Sequence, residues 1–286
     1  MKFYKYHGAG NDYVLIDAMT AEVSLPPELI RALCHRNLGI GADGVIVFSP
    51  SDRATCRMTC YNPDASEADF SGNGIRCLAM HLYEQGERPG EEMRIETASG
   101  IKGVELLVVD GRVREAQVEM GRPDFRRASL PMQGEGAEAV EELIEIDGYT
   151  FKATCLSIDN PHCVIFLDAL SSSLVREIGP RIEHHPLFPL KVNVEFAEVL
   201  NVSEMIQRTW ERGVGETLSS ATGACAAVAA AIRTGKGKGR MFVRQPGGLL
   251  EVSVHPDGTY YLKGPVRRVF EGELDPYWWD KSRIWV

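Results

Sequence analysis

Apolar and polar positions along this chain fall into two periods. Runs rich in β-branched residues, NDYVLID over 11–17 and NPHCVIFLD over 160–168, read as strands. So do GADGVIVF (41–48) and NVEFAEVL (193–200), each preceded by a helical stretch, at about 27–36 and 174–184. Two further helices are predicted at about 74–85 and 223–233. The first has apolar residues at 75, 78, 79, 80, 82 and 83, and the second is nearly all Ala, Val, Ile and Cys. A helix apolar on most sides is a buried one, and a sheet wrapped around it is the economical cover. The stretch from about 118 to 145 is polar, with Pro123, Pro131, Gly134 and Gly136, and reads as a linker or peripheral hairpin region.

The pattern occurs twice. Asn11 lies 60 residues before Ser71, and Asn160 lies 60 residues before Ser220. The segments opening at the two serines, SGNGIRCLAMHLYEQG and SATGACAAVAAAIRTG, run alike from a small polar loop through a helix to Gly86 or Gly235. In this register Gly44 pairs with Asn193, and Asn62 with Glu211. One constant offset through so many features argues for duplication.

A buried helix start carries unpaired N–H groups and a partial positive charge. Ser71-Gly72-Asn73-Gly74 and Ser220-Ala221-Thr222-Gly223 sit at such starts. Each serine taken alone reads as an N-cap, and the matched pair reads as two anion-binding helix ends serving one ligand. Before the second loop lie Arg208, Glu211, Arg212 and Glu216, as salt bridges of a surface loop or as an arginine fork for a carboxylate. Before the first lies NPDASEAD (62–69), in which Asn62 either faces an ammonium group or closes a solvated turn.

Charge narrows the ligand class. The 286 residues carry a formal net charge of -9, which argues against nucleic acid or an anionic membrane as partner. Lys236, Lys238 and Arg240 read as a solvated basic loop. No apolar run approaches the roughly 20 residues of a membrane span, and the N-terminus lacks a signal-peptide core, so a cytoplasmic location is expected. The seven cysteines, an odd number without a CxxC spacing, are expected as reduced, mostly buried thiols, and no metal site is expected. Trp278, Trp279 and Trp285 near the C-terminus are expected to pack on a half, or else to form a dimer patch.

Five motifs resemble the diaminopimelate epimerases and their amino-acid racemase relatives. They are HGAGND (7–12), RNLGIGADGV (36–45), NPDASEADFSGNGIRC (62–77), DNPHCV (159–164) and RTWERGVGETLSSATGACA (208–226), in the family's order. The resemblance implies an α+β fold of two pseudo-symmetric halves, each a curved, mostly antiparallel sheet or open barrel around a central helix. The halves are expected at 1–118 with 266–286 and at 119–265, with a ligand cleft between them. It also implies inversion at the α-carbon of an amino acid, most closely LL- to meso-diaminopimelate in lysine biosynthesis, without cofactor or metal, in a protein that is commonly a homodimer. In the family one cysteine removes the α-proton and another returns one from the opposite face.

Carried over by residue, substrate contacts fall at Asn11, Asn62, Asn160, Asn193, Glu211 and Arg212, and at the backbone of Gly72, Asn73, Ala221 and Thr222. Gly44, where some members carry a substrate-binding Gln, reads as an ordinary variant. His162 and Glu211 are candidates to orient or deprotonate the acid/base pair. The two cysteine positions are Ser71 and Ser220 in this chain. Cys77 and Cys225, further along the helices, are not expected to replace them. An alcohol is a far weaker acid than a thiol and needs an adjacent base. The serines are compatible with altered α-proton chemistry such as dehydration or slow epimerisation, with a double Cys→Ser form of an epimerase, or with an amino-acid-binding protein without turnover. Ala221, usually Gly in the family, favours natural divergence.

Overall fold

In the computed structural model, which describes residues 1–86, 90–275 and 278, the chain divides into two compact units, Met1–Val118 with Val266–Val286, and Glu119–Pro265. The first contains β1 (Lys2–Gly8), β2 (Asn11–Asp17), α1 (Pro27–Cys34), β3 (Gly44–Ser49), β4 (Cys56–Tyr61), β5 (Glu67–Ala68), α2 (Gly72–Glu84), β6 (Glu92–Thr97), β7 (Gly100–Val109) and most of β8 (Arg112–Gly121). The second contains β9 (Ala139–Ile146), β10 (Tyr149–Ile158), β11 (Asn160–Phe166), α3 (Ser172–Glu183), β12 (Asn193–Asn201), β13 (Glu204–Glu211), β14 (Gly215–Thr217), α4 (Ala221–Arg233), β15 (Arg240–Gln245), β16 (Gly248–Val254) and β17 (Tyr260–Pro265). The last strand, β18 (Arg267–Glu273), pairs with β1 in the first unit.

The ladders of the two units correspond pair by pair. In the first, β2 runs parallel to β3 and β4 parallel to β6, while β1–β2, β3–β4, β6–β7 and β7–β8 are antiparallel. In the second, β11 is parallel to β12 and β13 to β15, and the neighbouring pairs are again antiparallel. Parallel neighbours need a crossover, and each of the four helices makes one. The architecture is the α+β one expected from the sequence.

Each sheet is covered on both sides. In the first unit α1 packs with Val14, Ile16 and Val45 through Leu29, Ile30 and Leu33, and α2 lies against β1, β2, β7 and β18. In the second, Val175, Ile178 and Ile182 of α3 meet Cys163, Val194 and Phe196, and α4 lies against β10, β11, β12, β16 and β17. Coverage on both faces is why NDYVLID and NPHCVIF are continuous apolar runs instead of alternating ones. The buried residues of α2 include Ile75, Leu78 and Leu82, and those of α4 are mostly Ala, with Thr222, Gly223, Cys225 and Val228, so its buried surface is made of smaller side chains.

Both central helices begin two residues earlier than expected, at Gly72 and Ala221, because their small, polar first turns are helical. The stretch expected as a linker or hairpin region holds the end of β8, a 3-10 turn at Arg127–Ser129 and the start of β9. The polar residues of β9 include exposed Glu145, while Glu142, on the face of buried Ile144 and Ile146, pairs with Arg127. All seven cysteines are buried. Trp278 packs against the α1 core and donates to the Leu38 carbonyl at 3.2 Å; Trp279 and Trp285 lie outside the described residues. No described helix is long and apolar enough to cross a membrane.

Candidate active site

Ser71 takes an extended backbone (φ -133°, ψ 111°) and caps α2, its Oγ accepting from the Gly74 N–H at 3.0 Å. Ser220 does the same for α4 (φ -122°, ψ 120°), accepting from Gly223 at 3.2 Å. With the third amide taken by the cap, the helix itself supplies no acceptor for the amides of Gly72 and Asn73, or of Ala221 and Thr222. Both ends therefore offer N–H groups and a partial positive charge beside a hydroxyl. Cys77, a turn further along, is no substitute: burial pushes its thiol up to about 12.

Around Ser71 the polar groups form a chain. Tyr13 Oη lies 2.7 Å from Ser71 Oγ and donates to Asn11 Oδ1 at 2.7 Å. Asn11 Oδ1 also accepts from Asn73 Nδ2 at 3.0 Å, and Asn11 Nδ2 donates to Asp43 Oδ2 at 2.9 Å. Arg76, fully buried, donates to Asn73 Oδ1 at 2.7 Å. An ion cluster ties β1 and β2 to the segment before β3: Arg36 bridges Asp12 (2.9 Å) and Asp43 (2.6 Å), and Lys5 pairs with Asp12 at 2.5 Å. Burial alone would raise the Asp12 carboxyl, but hydrogen bonds from Arg36 and Lys5 outweigh it and hold the group down to about 2. Asp43 is raised, by burial and then by the Asp12 charge. Asn62 is half-buried in its turn, donating to Ser66 Oγ at 3.0 Å.

Ser220 is held differently. Gln245 accepts from the Ser220 N–H and donates to the Ser220 carbonyl, both at 2.9 Å, and also donates to Gln207 Oε1 at 3.1 Å. Gln207 in turn donates to Thr209 Oγ1 at 3.2 Å. A Cβ on Gly223 would lie 2.7 Å from Glu195 Oε1 and 2.9 Å from Ser220 Oγ, so this turn of α4 admits only glycine against the buried carboxylate. Glu195 and His162 are both fully buried and 2.9 Å apart, and His162 Nε2 lies 2.6 Å from Asn160 Oδ1. The His162 ring is thus held at both nitrogens, between the Glu195 carboxyl group and the Asn160 side chain.

The second loop's charges divide into two kinds. Glu216 is clamped by Arg208 at 2.9 Å and Arg176 at 2.8 Å, which is the surface salt-bridge reading. Half-buried Arg212 has no acidic partner among the described residues. Its backbone N–H donates to Asn193 Oδ1 at 2.9 Å, and Asn193 Nδ2 donates to the Pro161 carbonyl at 2.9 Å. Thr217 donates to Glu211 Oε1 at 2.5 Å.

The structure thus joins Asn11, Asn73 and Ser71 in one network, and Asn160 with His162 in another, with Asn193 and Arg212 linked through backbone. Sequence reading missed Tyr13, Glu195, Gln207 and Gln245. For Tyr13 a signal was present: it stands at the position equivalent to His162, two residues after the repeated Asn. The two occupy the same place in the parallel ladders, Tyr13 opposite Gly44 and His162 opposite Asn193.

A family model described as diaminopimelate epimerase matches residues 3–126 and 154–269. The diaminopimelate epimerase of Moorella thermoacetica is 46% identical over 276 residues, covering 96% of this chain and 99% of that protein. That of Pelotomaculum thermopropionicum is 43% identical over 280 residues, covering 97% and 99%. A probable proline racemase from Agrobacterium radiobacter shares the fold at 16% identity, with a TM-score of 0.74 over 96% of this chain and 94% of that one. By sequence, the chain belongs to the diaminopimelate epimerase family.

Proposed function

We propose that this protein is a cofactor-independent epimerase that interconverts LL- and meso-diaminopimelate in lysine biosynthesis, with the hydroxyls of Ser71 and Ser220 as its proton-transfer groups. The observation that carries the reading is the matched pair of caps. Each half places one hydroxyl at the N-terminus of its buried helix, where N–H groups and the helix dipole stabilise a carboxylate and the negative charge that develops at Cα. Relatives named for this activity, at 46% and 43% identity over nearly the whole chain, supply the substrate. Arg212, lacking an acidic partner among the described residues, is the cation offered to a substrate carboxylate. Asn11, Asn62, Asn160, Asn193 and Glu211 complete the contacts, and His162 and Glu211 serve the acid/base pair. On the family resemblance alone, the protein works as a cytoplasmic homodimer.

Incubation with LL-diaminopimelate in D2O should give deuterium at Cα together with the meso isomer. The Ser71→Cys/Ser220→Cys variant should raise kcat by about 10²-fold or more, since a thiol matches the proton-transfer task near neutral pH and an unaided alcohol does not. A folded variant that stays inactive would sink diaminopimelate as the substrate. One observation favours a second reading, amino-acid binding without turnover: both hydroxyls already serve as caps. No exchange in the parent chain, with a ligand-induced rise in Tm, would establish that reading.

A further inference from the structure

We propose that Tyr13 is the positioning residue that makes Ser71 competent, by receiving the serine's proton and returning it; this rests on the epimerase reading above. The direction of the hydrogen bonds follows from the partners. Asp43, held by Arg36, accepts from Asn11 Nδ2 at 2.9 Å, which fixes Asn11 Oδ1 on the side of Tyr13. That oxygen can only accept, so the single phenol proton points to it across 2.7 Å. The hydrogen in the 2.7 Å contact between Tyr13 Oη and Ser71 Oγ is then the serine's own. Ser71 Oγ also accepts from Gly74 N–H at 3.0 Å, so Ser71 donates to Tyr13 while its oxygen faces the helix end.

Two independent observations support a dedicated pair. Gly44, opposite Tyr13 in the parallel ladder, makes room for the ring: a Cβ there would lie 3.0 Å from Tyr13 Cε1 and 2.7 Å from the Tyr61 carbonyl oxygen. And each half carries a titratable ring bonded to its own repeated asparagine, Tyr13 to Asn11 at 2.7 Å and His162 to Asn160 at 2.6 Å.

The step balances without a co-reactant. From the neutral phenol, Ser71 Oγ gives its proton to the Cα carbanion while Tyr13 turns its own proton from Asn11 Oδ1 to Ser71 Oγ, so the negative charge passes from Cα to the Tyr13 oxygen. The phenolate formed in that way supports the opposite direction: as the Cα–H bond breaks its proton goes to Ser71 Oγ, the serine's own proton returns to Tyr13, and the electron pair stays on Cα. The charge taken from Cα rests on a phenol, which ionises near 10, instead of on an alkoxide.

Tyr13→Phe keeps the ring against Gly44 and removes only the hydroxyl. It should lower kcat for diaminopimelate by about 10²-fold, leave KM nearly unchanged and abolish the alkaline limb of the kcat profile. In the Ser71→Cys/Ser220→Cys background the same change should cost little, because a thiol needs no phenol. Equal losses in both backgrounds, or none in the parent, would overturn the proposal. A second measurement needs no turnover. Ultraviolet titration, with Tyr13→Phe to assign the signal, should show Tyr13 ionising at higher pH in Ser71→Ala, which lacks the hydroxyl that donates to the phenolate. An unmoved titration overturns the pairing; a moved titration with no deuterium exchange in the parent overturns the epimerase reading instead.

Discussion

Gln245 grips Ser220 by both of its backbone groups, at 2.9 Å each. Ser220 is 3% exposed and Gln245 8%, so no water stands ready to replace those bonds. Gln245→Leu would leave a buried N–H and a buried C=O unpaired, and each costs about 1–3 kcal/mol. Leucine burial returns part of this, and the expected loss in urea denaturation is about 2–4 kcal/mol. A loss under about 0.5 kcal/mol, the range of a neutral surface change, would show that Gln245 does not hold the cap. At this scale the sequence was legible where a motif named the residue, as for Asn11, Ser71, Ser220 and Arg212. It was silent on Gln245, Gln207 and Glu195, which lie on strands far along the chain from Ser220 and meet it only through the parallel and antiparallel registers of β12, β13 and β15.

Among the helix starts, Ser171 caps α3 in the same manner, accepting from Leu174 N–H at 3.3 Å. Capping alone therefore does not distinguish a functional serine from a structural one; what α2 and α4 add is burial and the polar groups packed against their first turns. Their third helical positions are both glycine, for different reasons. A Cβ on Gly74 would come within 2.6 Å of Ile46 Cδ1, the mobile end of a side chain. On Gly223 it would meet a buried carboxylate oxygen, the capping hydroxyl and Gln207 Nε2 at 2.7, 2.9 and 3.1 Å. Gly74→Ala should thus be absorbed by an isoleucine rotamer at a cost near 1 kcal/mol or less, while Gly223→Ala should cost about 1–3 kcal/mol as overpacking of a close-packed site. Equal Tm shifts for the two would count against this account. Strand and helix positions were legible because amphipathic and buried patterns differ. Their starts were not, since Gly-rich turns such as SGNG read as loops until the buried packing that keeps them helical is known.

For the molecule as a whole the duplication was the most legible property, because one offset preserved the spacing of Asn, Ser and Gly while most other residues changed. What it concealed is that equivalent positions can differ in chemistry: Ile46 stands where Glu195 does, and Met58 where Gln207 does, so the polar network behind Ser220 has no twin behind Ser71. The central helix of the first half carries instead a buried histidine. His81 lies 4.2 Å from Tyr4, 5.6 Å from Tyr6 and 5.2 Å from Phe48, centroid to centroid. Burial, and then the positive charges of Arg268 and Lys2, push its pKa down to about 4, against 6.5 for an unperturbed histidine. Between those values the unfolded chain binds a proton that the folded chain does not, so stability rises with pH across the window and is lost as pH falls from about 6.5 toward 4. The loss reaches up to about 3 kcal/mol. Asp12 acts only at lower pH: its stabilisation is present above 3.8 and disappears as pH falls through about 2. Urea midpoints measured between pH 7 and pH 4.5 should therefore fall steeply for the parent chain and much less for His81→Leu, which keeps an apolar side chain of similar size and has nothing to protonate. Parallel falls in the two proteins would locate the acid sensitivity elsewhere than in the core of α2.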